Sequence, residues 1–441
     1  MSLHAFKVSL DQLGSDQRIG HVRSLTPSSV VADGPYAALG EICEIEARGA
    51  REPYLAEVVA VGDDQVILVP LETDIQVLPG ARVTVLETGG LAPVGPQFKG
   101  RAIDALGRPI DHVGEIGAAQ FMPLGGKSLA PLHRIDPTEP LVTGVRAVDA
   151  MLTLGRGQRI GVFAAAGVGK TTLVRQLARQ SDCDRLIVCL VGERGREVAS
   201  YWEELSQSEV VDKATLVAAT SETSPILRAR AVQQALCLAE EARDAGEQVL
   251  LVMDSVTRFA MALREIGLTA GAPPALRAYT PNVFSALPQL VERCGAVKSG
   301  GSITAIMTIL SETDDVDDPI TEAMKSLLDG HIVLSRSIAE RGHYPAIDIP
   351  ASISRLAINV CTKEHLSDAQ ALLRELALFE ESRTMVDSGL YKPGTNAKLD
   401  SAIRRRPELM SFLQQSDRES VTFDATRDAL ARIAKAGGGI V

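Results

Sequence analysis

The feature that most restricts this chain is the octapeptide Ala164-Ala165-Ala166-Gly167-Val168-Gly169-Lys170-Thr171. It lies between an apolar run, Arg159–Ala164, and a segment whose Leu173, Val174, Leu177 and Ala178 recur at helical spacing. A glycine-bearing loop between a strand and a helix lets successive backbone N–H groups converge on phosphate oxygens at the helix N-terminus. In this register Ala165, Ala166, Gly167, Val168 and Gly169 wrap the phosphates. Lys170 neutralises the β and γ phosphates, and the Thr171 hydroxyl ligates Mg²⁺, with Thr172 beside it on the first turn. The general pattern G-x-x-x-x-G-K-[ST] fails at its first position, where Ala164 stands. A ligand-free turn is the competing reading, and the strand–loop–helix context argues against it.

Around this loop, further apolar strands alternate with amphipathic helices. Strands are predicted at Arg159–Ala164, Arg185–Gly192, Thr215–Thr220, Gln248–Asp254, Ser302–Leu310 and His331–Ser335. Between them, Leu227, Ala231, Ala235, Leu238 and Ala242 share one face of a helix over 226–243. Continuous apolar strands separated by such helices predict a mostly parallel sheet covered on both faces. From 18 to 88 the chain runs in short β-rich bursts, with a hairpin around Gly62-Asp63-Asp64, and reads as a small β-barrel. Residues 89 to 145 are rich in Gly and Pro and read as loops. Beyond about 362, Leu366, Ala369, Leu373 and Leu376 form a helical stripe, and Pro407 sits where a helix could start. The fold class is therefore multidomain α/β: an N-terminal segment (1–17), a β-barrel (18–88), a parallel-sheet core that carries the phosphate loop (89–361) and a C-terminal helical domain (362–441).

Two strand ends carry acids. Leu250-Leu251-Val252-Met253-Asp254 closes on a carboxylate beside the ligand crevice of an open α/β sheet, where Asp254 is placed to hold a water of the Mg²⁺ shell. Val191-Gly192-Glu193-Arg194 ends another strand, and Glu193 is the candidate to polarise a water attacking the γ-phosphate. A solvated charge cluster of Glu193, Arg194, Arg196 and Glu197 at a helix start is the alternative there. In Tyr344-Pro345-Ala346-Ile347-Asp348-Ile349-Pro350-Ala351-Ser352-Ile353-Ser354-Arg355, the arginine could reach a phosphate and the tyrosine could stack on adenine; an ordinary loop with a surface arginine and a tyrosine packed beside proline is the alternative.

Composition narrows the classes. Among 441 residues, 45 Lys and Arg face 56 Asp and Glu, a net charge of -11, and only 4% are aromatic. Neither polyanion binding nor base stacking along a nucleic acid is favoured. No apolar run approaches the ~18–20 residues needed to span a bilayer, so a cytoplasmic chain is expected. Six scattered cysteines without a C-x-x-C pair read as reduced structural thiols.

The segments GVFAAAGVGKTT, VGERGREV, VLLVMDSVTRFA, GGSITAIMTILSETDDVDDPITEAMKSLLDGHIVLSR and GHYPAIDIPASISR together closely resemble the α/β-type ATPases that include rotary ATP synthase catalytic subunits. Within that group the chain is most similar to the flagellar protein export ATPase and the type III secretion ATPases of injectisomes. The resemblance runs from GRAIDALGRPID through LVTGVRAVDAMLTLGRGQR to GLYKPGTNAKLDSAI. It implies a RecA-like P-loop ATPase core, ATP and Mg²⁺, phosphate binding by Lys170, metal binding by Thr171 and Asp254, water activation by Glu193 and a place near the γ-phosphate for Arg194. It also implies adenine stacking on Tyr344 and an arginine finger, Arg355, reaching a neighbouring subunit's nucleotide. A homohexamer follows, docked peripherally at the membrane export gate, with a stator-type regulatory protein, a central stalk protein, export chaperones and substrates as partners and no nucleic acid.

The loop carries Ala165 and Ala166 where export ATPases usually have Gly and Ser, which puts its shape and nucleotide affinity in question. Leu3, Phe6, Leu10 and Leu13 recur at helical spacing in a stretch shorter than the amphipathic segment by which flagellar members bind their stator partner, and a frayed terminus with chance periodicity is the competing reading. A rotary catalytic subunit would carry an acidic D-E-L-S-E-E-D type segment near its end, and this chain has LRELALFEESRTMVDSGLYKPGTNAKLD instead. An RNA helicase of the termination type would need an aromatic barrel, and residues 18–88 offer only Tyr36 and Tyr54. A non-catalytic ring subunit would not need Lys170, Glu193, Asp254 and Arg355 together. The expected function is ATP-driven protein export, with the flagellum preferred over the injectisome.

Overall fold

The computed structural model describes residues 18–46, 52–86, 89–117, 120–126, 129–298, 300–311 and 318–435. The stripe of Leu3, Phe6, Leu10 and Leu13 lies outside them. Six strands, β1 (Ile19–Thr26), β2 (Ser29–Asp33), β3 (Ile42–Ile45), β4 (Tyr54–Val61), β5 (Gln65–Pro70) and β6 (Arg82–Leu86), close a barrel in the order β1-β2-β5-β4-β3-β6. Alternate residues point inward, so Ala56 and Val58 of β4 meet Val30, Ile45, Leu68 and Val83 in a small apolar core. The β4–β5 hairpin turns at Gly62-Asp63-Asp64, with Val61 opposite Val66. Arg230 fastens the barrel to the core, 3.1 Å from Glu57 and donating at 2.8 Å to the Gly89 carbonyl.

The central sheet has ten strands. Its main path comprises β7 (Arg101–Ile103), β8 (Arg159–Ala164), β9 (Arg185–Glu193), β10 (Ala214–Thr220), β11 (Gln248–Asp254), β12 (Ser302–Leu310), β13 (Gly330–Val333) and β14 (Ile353–Ser354). They lie in the order β14-β13-β8-β12-β11-β9-β10-β7. All neighbours are parallel except β13 and β14, and two further short strands, Arg134–Ile135 and Gly295–Val297, add antiparallel pairing. The sheet is thus mixed at its margins. Strands β9, β11 and β12 are buried along nearly their whole length, the state that a continuous apolar run encodes.

Helices cover both faces: α1 (Arg146–Met151), α2 (Lys170–Gln180), α3 (Gly195–Ser206), α4 (Pro225–Asp244), α5 (Val256–Thr269), α6 (Pro281–Glu292) and α7 (Pro319–Leu327). Helix α4 starts where Ser224 accepts a hydrogen bond from the Leu227 N–H and Pro225 supplies a fixed first-turn φ. Its Ala231, Ala235, Leu238 and Ala242 are buried, and the small side chains let the helix sit close to the sheet.

Residues 89 to 145 are not simply loops. Leu91–Val94 pairs with Gln120–Pro123 as a ribbon, and β7 extends the sheet beside β10. Strands of three or four residues are too short to imprint a period on a Gly- and Pro-rich sequence.

The C-terminal helices are α8 (Lys363–Asp387), α9 (Ala397–Leu413) and α10 (Phe423–Lys435). Pro407 does not start a helix. It lies inside α9, which begins where the Asn396 side chain caps the Lys398 and Leu399 N–H groups. A proline there only denies one partner to the carbonyl four residues back, a loss that the buried Leu399, Ala402, Leu409 and Phe412 outweigh. Leu372, Leu376, Leu413 and Leu430 join Ala147, Val148 and Leu177 in one apolar cluster, so this domain is bonded to the core rather than hung from it. All six cysteines are free thiols, five of them buried. Among the described residues no helix is long and apolar enough to cross a membrane.

Candidate active site

Strand β8 ends at Ala164, and the chain turns through 165–169 into α2. The turn needs two left-handed residues and places them on Gly167 (φ 80°) and Gly169 (φ 93°). Ala165 and Ala166 are not among the residues with positive φ, so replacing Gly and Ser there leaves the backbone unstrained. The concern about loop shape is answered; the missing hydroxyl remains a chemical difference. Ala165 and Val168 are buried beneath the loop, while Ala166 and Gly167 face outward.

Lys170 opens α2, and its ammonium forms an ion pair with Asp254 at the end of β11, two strands away. Asp254 is only 4% exposed, and Thr308 of β12 donates to the same carboxylate oxygen at 2.6 Å. A buried acid is stable only with such partners. Thr171 is exposed beside Lys170. A hydroxyl and a carboxylate are the hard oxygen donors that suit Mg²⁺, which keeps several waters and completes its shell from phosphate.

Glu193 closes β9, the next strand over from β11, and Arg258 of α5 lies 3.2 Å from its carboxylate. Gly192 holds φ 68°, and a Cβ there would come within 2.9 Å of the Arg258 side chain, so glycine permits this approach. Burial, a hydrogen bond with Glu197 and the nearby Asp254 charge push the Glu193 carboxyl up to about 6, against the opposing pull of Arg258 and Lys170. That poises it as a base near neutral pH. Arg194 is exposed and caps α3, its carbonyl accepting from Glu197 and Val198.

Tyr344 stands beside the loop: a Cβ on Gly169 would lie 3.4 Å from its ring. Together with Pro345, Thr172, Gln176, Gln415 and Ser416 it lines a cavity of ≈ 340 Å³. Arg355 is elsewhere. Its N–H donates to the Asp329 carbonyl, and Asp329 in turn binds Arg159 at the first residue of β8. Strand β8 is six residues long, so at about 3.3 Å per residue roughly 20 Å separate Arg355 from the phosphate loop of its own chain. No arginine side chain covers that distance.

The structure therefore brings Lys170, Thr171, Asp254 and Glu193 to one end of the sheet, with Tyr344 beside them, and leaves Arg355 at the other. Arg258 and Thr308 also reach the site, although nothing in the apolar motifs VLLVMDSVTRFA and GGSITAIMTIL that contain them marks either one. Gln415 and Ser416 carry no motif and reach the site from the C-terminal domain.

Residues 144–354 match the ATP synthase alpha/beta family, nucleotide-binding domain, and residues 361–432 match the EscN type III secretion ATPase C-terminal domain. The flagellum-specific ATP synthase of Pseudomonas aeruginosa is 42% identical over 95% of this chain and 93% of its own length. The type 3 secretion system ATPase of Xanthomonas euvesicatoria is 41% identical over 96% of each. The assembled ATPase EscN of enteropathogenic E. coli superposes with a TM-score of 0.89 at 38% identity, covering 94% of this chain and all of that one. The same ATPase is also known in complex with its central stalk EscO, with a TM-score of 0.87. The chain belongs to the flagellar and type III secretion ATPases of the ATP synthase alpha/beta family.

Proposed function

We propose that this chain is the ATP-hydrolysing subunit of a homohexameric protein-export motor, most naturally that of the flagellum, with each active site completed by its neighbour. The observation that carries the reading is the convergence of Lys170, Asp254 and Glu193 beside a phosphate-binding loop. Lys170 leaves Asp254 for the β and γ phosphates when nucleotide enters. Glu193 orients the attacking water in line with the γ-phosphate, and Arg258 keeps its carboxylate ionised. Thr171 and Asp254 would hold Mg²⁺, which when bound neutralises charge on the phosphates. Arg194 stays near the γ-phosphate side, and the Tyr344 ring faces the base across the ≈ 340 Å³ cavity. Arg355 supplies positive charge to the site of an adjacent subunit, where it stabilises the transition state.

A complex of EscN with its central stalk EscO supports a stalk in the assembly of this chain too. The chain would work in the cytoplasm at the membrane base of an export gate, receiving chaperones and substrates through its C-terminal helices and a stator-type regulator through residues 1–17. Co-purification of the tagged chain from its own cells tests the choice of machine. Flagellar stator, stalk and chaperone proteins are expected; injectisome components would move the function to effector secretion, and a rotary stalk set would overturn the reading.

A further inference from the structure

Arg355 is placed by the strand beside it. Gly330 opens β13 and lies opposite Ser354 of β14. The Arg355 N–H extends that pairing by one residue, donating to the Asp329 carbonyl at 3.0 Å. Glycine permits the approach, because a Cβ at position 330 would collide with the Ile353 carbonyl oxygen. Ser354 is anchored in turn: its hydroxyl donates to the Thr153 carbonyl at 2.8 Å and accepts from Nε2 of buried Gln158 at 3.1 Å. The backbone that carries the arginine is therefore fixed, and the direction of its side chain is what remains to be set.

Residues directly opposed on antiparallel strands start with Cβ atoms about 5 Å apart, which makes Asp329 an acid placed to capture Arg355. Both its carboxylate oxygens are instead held by Arg159, the first residue of β8. Oδ2 accepts from the Arg159 N–H and Nε, each at 2.9 Å, and Oδ1 accepts from Nη2 at 3.0 Å. The Asp329 N–H donates back to the Arg159 carbonyl at 2.9 Å. A two-pronged guanidinium–carboxylate pair fixes direction as well as distance. Arg159 is steadied from its other side by Glu292, the last residue of α6, at 3.3 Å. Among the described residues no acid pairs with Arg355, whose exposed guanidinium makes only the 3.4 Å contact to the Lys325 carbonyl.

We propose that Asp329 and Arg159 are positioning residues for Arg355. Asp329 fixes its backbone, and Arg159 holds the Asp329 carboxylate away from its guanidinium, so that each chain presents an uncompensated cation to its neighbour's nucleotide. This rests on reading Arg355 as a group that acts on an adjacent subunit. An arginine already paired with an acid of its own chain would bring no net charge to the γ-phosphate and would have to break that pair at every turnover. Preorganised charge carries no such cost. Arg159 stands at the end of β8 away from the phosphate loop, so its loss is felt in the site that borrows Arg355 rather than in its own chain's site.

The test uses full-length chains in mixed rings. Lys170→Ala chains lend Arg355, Arg355→Ala chains supply the phosphate loop, and ATP hydrolysis by their mixture is the reference. Arg159→Met is then added to one chain or to the other. In the lending chain it is expected to lower turnover about tenfold or more with KM for ATP unchanged, and in the other chain to change turnover by less than about twofold. Adding Asp329→Asn beside Arg159→Met in the lending chain removes the freed acid and should recover most of the lost turnover. An equal loss in either placement, or a loss that Asp329→Asn does not recover, overturns the proposal while the shared site stands. Should Arg159→Met not fold or not enter rings, Arg159→Lys replaces it. Lysine is a single point donor that cannot hold both oxygens, and it carries the same expectation and the same refutation. A reference mixture that forms rings and hydrolyses nothing removes the shared site, and both readings fall.

Discussion

The two ends of the central sheet contrast sharply. Where β8, β9 and β11 finish, charged groups interlock: the Lys170 ammonium on Asp254, Thr308 on the same carboxylate, Arg258 against Glu193. At the opposite end Arg355 is exposed, and its guanidinium has one long contact, 3.4 Å to the Lys325 carbonyl. The first end is preorganised within one chain. The second presents a cation outward, the arrangement that the proposed arginine finger requires. Buried charge needs partners in its own fold, whereas a group that completes another molecule's site has to remain free to leave.

Breaking each end separately sharpens that contrast. Lys170→Ala is expected to have the largest effect, eliminating turnover and weakening nucleotide binding together, as measured by phosphate release and calorimetry. Arg355→Ala is expected to lower kcat by about 10³-fold or more while nucleotide affinity stays within a few-fold, the signature of a contact made in the transition state. Glu193→Gln is expected to cost about 10²–10³-fold in kcat. The parent's kcat/KM is expected to fall as pH drops through about 6, because the base is active only when ionised, and the Gln variant should lose this acid limb. Arg258→Ala removes the cation that favours ionised Glu193 and should move the limb to higher pH. Tyr344→Ala is the mildest, expected to raise KM several-fold through lost stacking of about 1–2 kcal/mol, with kcat nearly unchanged.

The same division explains what could be read from sequence. Strands β8, β11 and β12 appear at the predicted residues because fully buried parallel strands are written as uninterrupted apolar runs with turn residues at both ends. The phosphate loop and the two strand-end acids are equally local: each is a short motif at the end of a strand. Arg258 was harder, since its place in VTRFA gives it no role until α5 is laid against β9. Gln415 was out of reach, because its partners Gly144 and Arg146 lie about 270 residues away and no spacing encodes a meeting at that distance. Edge strand β7 and the helix running through Pro407 escape sequence reading for a related reason. In both, tertiary packing overrides a local breaker signal.

The central claim is that one chain cannot complete its own active site, and mixing two inactive variants tests it most directly. Lys170→Ala retains Arg355, and Arg355→Ala retains Lys170. Assembled together, they place an intact Arg355 beside an intact phosphate loop at some subunit boundaries. ATP hydrolysis measured across mixing ratios should rise from near zero for either variant alone to a maximum at intermediate composition. Flat, near-zero activity in mixed rings that are confirmed to have formed would contradict a site shared between subunits.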